Sequence, residues 1–169
     1  MSEGKINRKF IIQIGLLVKD IDTVAKAWAD YLEVPVPDIH LNNPYEVTQA
    51  TYHGQPCPAR IKQAAFNFDN IELELISPVD DQPSYWYDRL QKDGEGVNHI
   101  SFFIRDRDGV AHEMAHRSMP AIQTGKFKNG SYTFYDSFDQ LKVYLEGLAI
   151  DTVPDDEFES TNPTAKKEE

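Results

Sequence analysis

Two stretches of this chain follow one plan: Gln13-Ile14-Gly15-Leu16-Leu17-Val18-Lys19-Asp20 and His99-Ile100-Ser101-Phe102-Phe103-Ile104-Arg105-Asp106. Each runs a polar ligand-type residue, an apolar one, a small one, three apolars, a base and an aspartate. Two unrelated strands need not share both side-chain phase and exit signal, so the match marks a duplicated unit. The constraint is severe, because whatever one half folds into, the other half must fold into as well.

Composition narrows the partners. The chain has 169 residues, enough for one domain or two small modules packed as one, with about two-thirds of the unfolded surface buried. It carries 17 Lys+Arg against 28 Asp+Glu, a net charge of -11, a field that repels phosphate backbones and anionic membranes. The expected partner is a small molecule, with no nucleic acid and no membrane. Cys57 stands alone, which favours a reducing compartment; with a polar start and no apolar run near the ~18 residues a span needs, a cytoplasmic protein is expected.

Phe10 to Val18 reads as a strand, and Asp20 or Asp22 then caps a helix whose apolar face holds Val24, Ala25, Ala27, Trp28, Tyr31 and Leu32. Pro35 and Pro37 end it near Glu33. From Val34 to Pro58 the chain is rich in Pro and Asn, with one predicted strand at Val47 to Tyr52, and so long a loop suits the rim of a pocket. Arg60 to Phe68 and Ile71 to Ser77 make a hairpin across Asp69-Asn70. Pro83 to Gln91 is a connecting helix, broken by Gly94-Glu95-Gly96. The second copy gives a strand (Val97 to Ile104), a helix (about Arg107 to Ser118, capped by Asp106), a strand after Pro120, and a hairpin of Ser131 to Asp136 with Leu141 to Glu146.

The predicted fold is therefore α+β: two tandem βαβββ modules, residues 1–82 and 97–149, forming a curved mixed sheet around a concave cup. Residues 83–96 connect them. Residues 150–169 are too polar to pack and are expected to be a disordered acidic tail.

Strand parity picks out the chemistry. Ile12, Ile14 and Leu16 share one face and leave Gln13 and Gly15 on the other; Leu73 and Leu75 oppose Glu72 and Glu74; Ile100, Phe102 and Ile104 oppose His99 and Ser101; Val143 and Leu145 oppose Tyr144 and Glu146. If helices cover the apolar faces, Gln13, Glu74, His99 and Glu146 project into the cup. One Gln, one His and two carboxylates suit a divalent metal with room for water or substrate. By parity alone, the same four residues also suit an ordinary solvated sheet face.

The module order resembles the vicinal oxygen chelate superfamily, which includes glyoxalase I, methylmalonyl-CoA epimerase, extradiol dioxygenases and metal-free antibiotic-sequestering proteins. The resemblance covers roughly Phe10 to Leu148. Glu74-Leu75-Ile76-Ser77-Pro78, Ser84-Tyr85-Trp86-Tyr87-Asp88-Arg89-Leu90 and Gly94-Glu95-Gly96-Val97-Asn98-His99-Ile100-Ser101-Phe102 resemble the epimerase-like branch. It implies a divalent metal (zinc, nickel, cobalt, manganese or magnesium) on Gln13, Glu74, His99 and Glu146, with Glu146 as general base and Glu74 as its partner or alternative. Tyr144 competes with Glu146 for the last position. Two departures stand out: Gln13 where many relatives have His, and Asn98 for the first of two paired histidines. The resulting ligand set resembles glyoxalase I, while the surrounding sequence resembles the epimerases.

The resemblance implies a metal-dependent isomerase or lyase abstracting a proton next to a carbonyl, on an acyl thioester or a glutathione hemithioacetal, in a homodimer as in many relatives. The alternatives are a metal-free binding protein and an extradiol-type dioxygenase. His112-Glu113-Met114-Ala115-His116 matches the zincin His-Glu-x-x-His pattern, but helical phase puts both histidines toward solvent, with no third ligand downstream. His40 and His53 read as loop surface residues, and Trp28 and Trp86 as packing.

Overall fold

The computed structural model describes residues 5–154 and Phe158. A short β1 (Lys5–Ile6) precedes β2 (Gln13–Leu17). Asp20, extended at φ -122, accepts from the Thr23 amide at 3.1 Å and so starts α1 (Ile21–Leu32), which stops at Glu33 in the left-handed region. The segment ahead of the hairpin then forms β3 (His40–Leu41), α2 (Tyr45–Thr48), β4 (Thr51–Tyr52) and β5 (Gln55–Pro56). The hairpin itself is β6 (Ile61–Asn67) and β7 (Glu72–Pro78).

Ser84 caps the connecting helix α3 (Tyr85–Asp93) by accepting from the Tyr87 amide, and Gly94 leaves it at φ 81, where glycine avoids the Cβ penalty. The second module is β8 (Gly96–Arg105), α4 (Arg107–His116), β9 (Ala121–Phe127), β10 (Gly130–Tyr135), a short α5 (Phe138–Leu141) and β11 (Tyr144–Ile150). No helix among the described residues is long and apolar enough to cross a membrane.

The sheet order is β3-β6-β7-β2-β8-β11-β10-β9-β4-β5, with β1 also pairing β8, and the sheet curls into an open half-barrel. The two modules meet where β2 lies antiparallel to β8, while β7 and β11 run parallel to β2 and β8 respectively. The four strands that carry the predicted site are thus consecutive. Helix α1 buries Ile21, Ala25 and Ala29 against Ala64, Phe66, Leu73 and Leu75, and α4 buries Val110 and Met114 against Ile104 and Tyr135. Both helices cover the faces that parity made apolar. At about 1.5–3 kcal/mol for each large side chain buried, these two clusters fix which way β2, β7 and β8 face.

Several boundaries differ from expectation. Only Gln13–Leu17 is strand, and Ile12 leaves the face of Ile14 and Leu16 to pack with Phe103 and Leu148. The predicted strand Val47 to Tyr52 is split: Val47 and Thr48 end α2, and only Thr51 and Tyr52 are strand, as β4, which pairs with β9 of the other module; the first module's third hairpin strand is β3, against β6. Loop 34–58 therefore touches both ends of the curled sheet. The last strand starts later than Leu141, because Phe138–Leu141 winds into a helical turn ending at Lys142 in the left-handed region. The expectation that nothing beyond Ile150 packs fails for Val153 and Phe158, both buried against Ile12, Phe103 and Leu148. The rest of the expected tail lies outside the described residues.

Candidate active site

Gly15 is the pivot of the site. It pairs with Glu74 on one side and His99 on the other, and its missing side chain leaves the space that the His99 ring fills. His99 is fully buried, with Nε2 3.5 Å from a carboxylate oxygen of Glu74 and 3.5 Å from one of Glu146. Neither ring nitrogen has a hydrogen-bond partner among the described residues. Burial works to lower the His99 pKa, and the Glu146 and Glu74 carboxylates outweigh it, holding the imidazole above its ordinary value.

Glu146 is 6% exposed. Burial pushes its carboxyl up, His99 draws it down and Glu74 pushes it up again, leaving it at about 7. Ser101 Oγ lies within hydrogen-bond reach of both Glu146 Oε2 and Gln13 Oε1, the latter at 2.8 Å, and Gln13 Nε2 donates to Glu72 at 2.6 Å. A hydroxyl has one proton. It therefore serves one acceptor at a time, the Glu146 carboxylate or the Gln13 amide oxygen, and when donated to Glu146 it works to lower that carboxyl's pKa against the effect of burial. Glu74 is fixed separately, by the Gln63 side-chain amide at 2.9 Å.

Glu74 and Glu146 open into a cavity of about 300 Å3. One wall is apolar and aromatic, with Ile61, Ile76, Trp86, Tyr132 and Phe134. Lys126 near the end of β9 and Lys128 of the β9–β10 turn form part of its lining, in a chain of net charge -11. Asn42, Asn43 and Thr48 complete the rim, the role expected of the long loop. His40 also lines it; His53 is exposed, its ring tilted at 50° against that of Tyr52. Trp86 packs into the core as expected, yet it also reaches the cavity, and its buried Nε1–H has no partner among the described residues.

Of the four predicted site residues, Glu74, His99 and Glu146 come together directly, while Gln13 joins them only through Ser101. Tyr144 sits level with His99 in the ladder, but its hydroxyl accepts from Arg89, outside the carboxylate cluster. Asn98 accepts from the buried Tyr85 hydroxyl, so its departure from a paired histidine serves packing beneath the site. Two further residues join the site: Ser101, which parity places on the face of His99, and Gln63, which reaches Glu74 from the neighbouring strand β6 and which only the hairpin register reveals. The donors fit a divalent cation in kind. Around an ion bound at about 2.1 Å, neighbouring donors stand about 3.0 to 3.4 Å apart, close to the 3.5 Å seen here. They do not form a closed cage, for among the described residues no group of three or more His, Cys, Asp or Glu already stands as a metal site.

A family model described as Glyoxalase/Bleomycin resistance protein/Dioxygenase superfamily matches residues 12–135. No curated protein matches the chain. Among solved structures, a methylmalonyl-CoA epimerase in complex with methylmalonyl-CoA and NH4+ shares 21% identity over 88% of this chain and 98% of its own, with a TM-score of 0.58. Methylmalonyl-CoA epimerase from Mycobacterium tuberculosis shares 16% over 86% and 89%, TM-score 0.56. A 4-hydroxymandelate synthase mutant from Streptomyces coelicolor shares 13% over 96% of this chain and 53% of its own, TM-score 0.54. At these identities the likeness is one of fold.

Proposed function

Because the chain belongs to the glyoxalase/bleomycin resistance protein/dioxygenase superfamily, we propose that it is an isomerase that moves a proton on a carbon next to a carbonyl, with an anionic acyl thioester as substrate. The observation that carries this reading is the buried Glu146–His99–Glu74 cluster at the wall of a cavity of about 300 Å3. A carboxyl near 7 is matched to accept a proton at neutral pH and to return it. Glu146 is the base; Ser101 orients it, and Gln63 keeps Glu74 turned into the cavity as the second carboxylate. The aromatic wall excludes water from the acyl part, and Lys126 and Lys128 suit the anionic remainder of the substrate.

His99 and Glu74 would hold a divalent cation, with Glu146 shared between the ion and the substrate and the Gln13 amide oxygen added once Ser101 releases it. Such an ion supplies Lewis-acid polarisation of the carbonyl oxygen. The solved epimerase bound to methylmalonyl-CoA favours a thioester over a glutathione hemithioacetal. A metal-free binder of an aromatic ligand is the second reading, favoured by the Trp86, Tyr132 and Phe134 wall.

The test is exchange of the substrate α-proton with deuterated water, run on methyl-branched acyl-CoA thioesters and glutathione hemithioacetals with divalent metal present. The thioester should exchange. Glu146→Gln, whose neutral amide accepts no proton at pH 7, should lose about 100-fold or more while retaining some metal. Exchange at the parent rate in that variant moves the base to Glu74. No exchange of either substrate, with tight metal-free binding of a small aromatic, replaces the enzyme by the binder.

A further inference from the structure

Helix α4 carries a second pair of metal-competent side chains on its exposed side. Its buried residues, Val110 and Met114, face the sheet, while His112 and His116 point to solvent one turn apart. Their Nε2 atoms are 3.0 Å from each other, with ring centroids 4.4 Å apart and the rings at 83°. Glu113, the general base of the zincin pattern, is engaged elsewhere: it accepts from Arg8 at 2.5 Å and from Arg117 at 2.9 Å. With its carboxylate held by two guanidinium groups, the motif has lost its base, and only the two imidazoles are left available.

Residues four apart on a helix face one another, so both rings reach the same point without rearranging the backbone. With no ion, one ring's N–H must donate to the other's lone pair across those 3.0 Å. An ion bound at about 2.1 Å to each nitrogen at a right angle needs the two donors about 3.0 Å apart, which is the separation already present. The surroundings favour positive charge as well. His116 is the last residue of α4, at the negative end of its dipole, and exposed Asp108 lies one turn before His112 on the same face.

We propose that His112 and His116 form a surface chelate for one borderline divalent cation, copper(II), nickel(II) or zinc(II), with water completing its shell. Two imidazoles without carboxylate ligands select these ions over magnesium and calcium, with copper(II) bound tightest. The site is independent of the cup, since His99 lies on β8 and faces the cavity side of the sheet.

The experiment uses the full chain without an affinity tag, titrated with copper(II) and followed by calorimetry and electron paramagnetic resonance. The parent should bind one more equivalent than the His112→Ala/His116→Ala double variant, and His99→Ala should keep that equivalent. Either single substitution should weaken it by about 100-fold, because the second ligand's effective concentration is lost, and should reduce the spectral signature of two nitrogens to one. Nickel(II) should raise the Tm of the parent and not of the double variant. Both rings are exposed, so circular dichroism should be unchanged. Equal stoichiometry and affinity in parent and double variant overturn the proposal. So does a single variant that binds as tightly as the parent, or loss of the equivalent in His99→Ala.

Discussion

Gly15 shows how much of the site depends on one missing methyl group. A Cβ there would stand 1.8 Å from His99 Cε1. Its backbone is not in the left-handed region, so alanine is refused by the ring alone. Gly15→Ala should therefore fold, at a cost of about 1–3 kcal/mol for overpacking, and lose both metal retention and α-proton exchange as His99 is driven out. Urea denaturation and the exchange assay, run together, check this; normal exchange in the variant would remove His99 from the chemistry. Glu146 makes a separate prediction about pH. Its folded pKa of about 7 lies above that of an ordinary carboxyl, so between the two values the folded state holds a proton that the unfolded chain has released. Stability must then fall as pH rises through this window, by at most about 1.4 kcal/mol per pH unit. His99, also raised, acts in the same direction: its contribution is full below the unfolded histidine pKa and is lost as pH rises through the folded one. Metal-free protein should unfold at lower urea at about pH 8 than at about pH 6, and Glu146→Gln should flatten most of that difference. An unchanged slope would mean that another group titrates.

At the scale of elements, parity and capping were the legible signals. Asp20 and Asp106 cap their helices as read, and the alternation in β7 and β11 placed Glu74 and Glu146 on the cavity side. Segment 34–58 was not legible, because its short pieces take their structure from partners distant in sequence. Thr51 bonds Thr124 at 2.9 Å, and β4 joins the main sheet through β9, carrying β5 on its other side. A polar run with few apolar residues conceals such pairings, since periodicity needs length. The C-terminal segment misled for the same reason: its composition is acidic, yet Val153 and Phe158 are buried. Asn7 donates to the Phe158 carbonyl, Arg105 donates to the Val153 carbonyl, and the Phe103 and Phe158 rings lie 4.8 Å apart. Phe158→Ala should destabilise the fold by about 3 kcal/mol, measured as a lower urea midpoint with unchanged slope. A loss below about 1 kcal/mol would mean that this segment does not hold the core formed by Ile12, Phe103 and Leu148.

For the whole molecule, the decisive contact is β2 against β8. A single module supplies either Gln13 with Glu74 or His99 with Glu146, and neither pair alone encloses a cavity. Antiparallel pairing of the two repeat strands sets β7, β2, β8 and β11 side by side, so all four residues come from one chain. A homodimer is then unnecessary for completing the site, whatever the chain does in solution. The expected metal content follows directly: one cup ion per chain, in the His112→Ala/His116→Ala background so that only the cup is counted. Native mass spectrometry of protein loaded with one divalent metal should show equal numbers of chains and ions, and specific exchange activity should not change on dilution through any dimer dissociation. Half-stoichiometric metal, or activity that falls with dilution, would require a second chain to contribute a ligand, and the pairing of β2 with β8 within one chain would then not be what builds the working site.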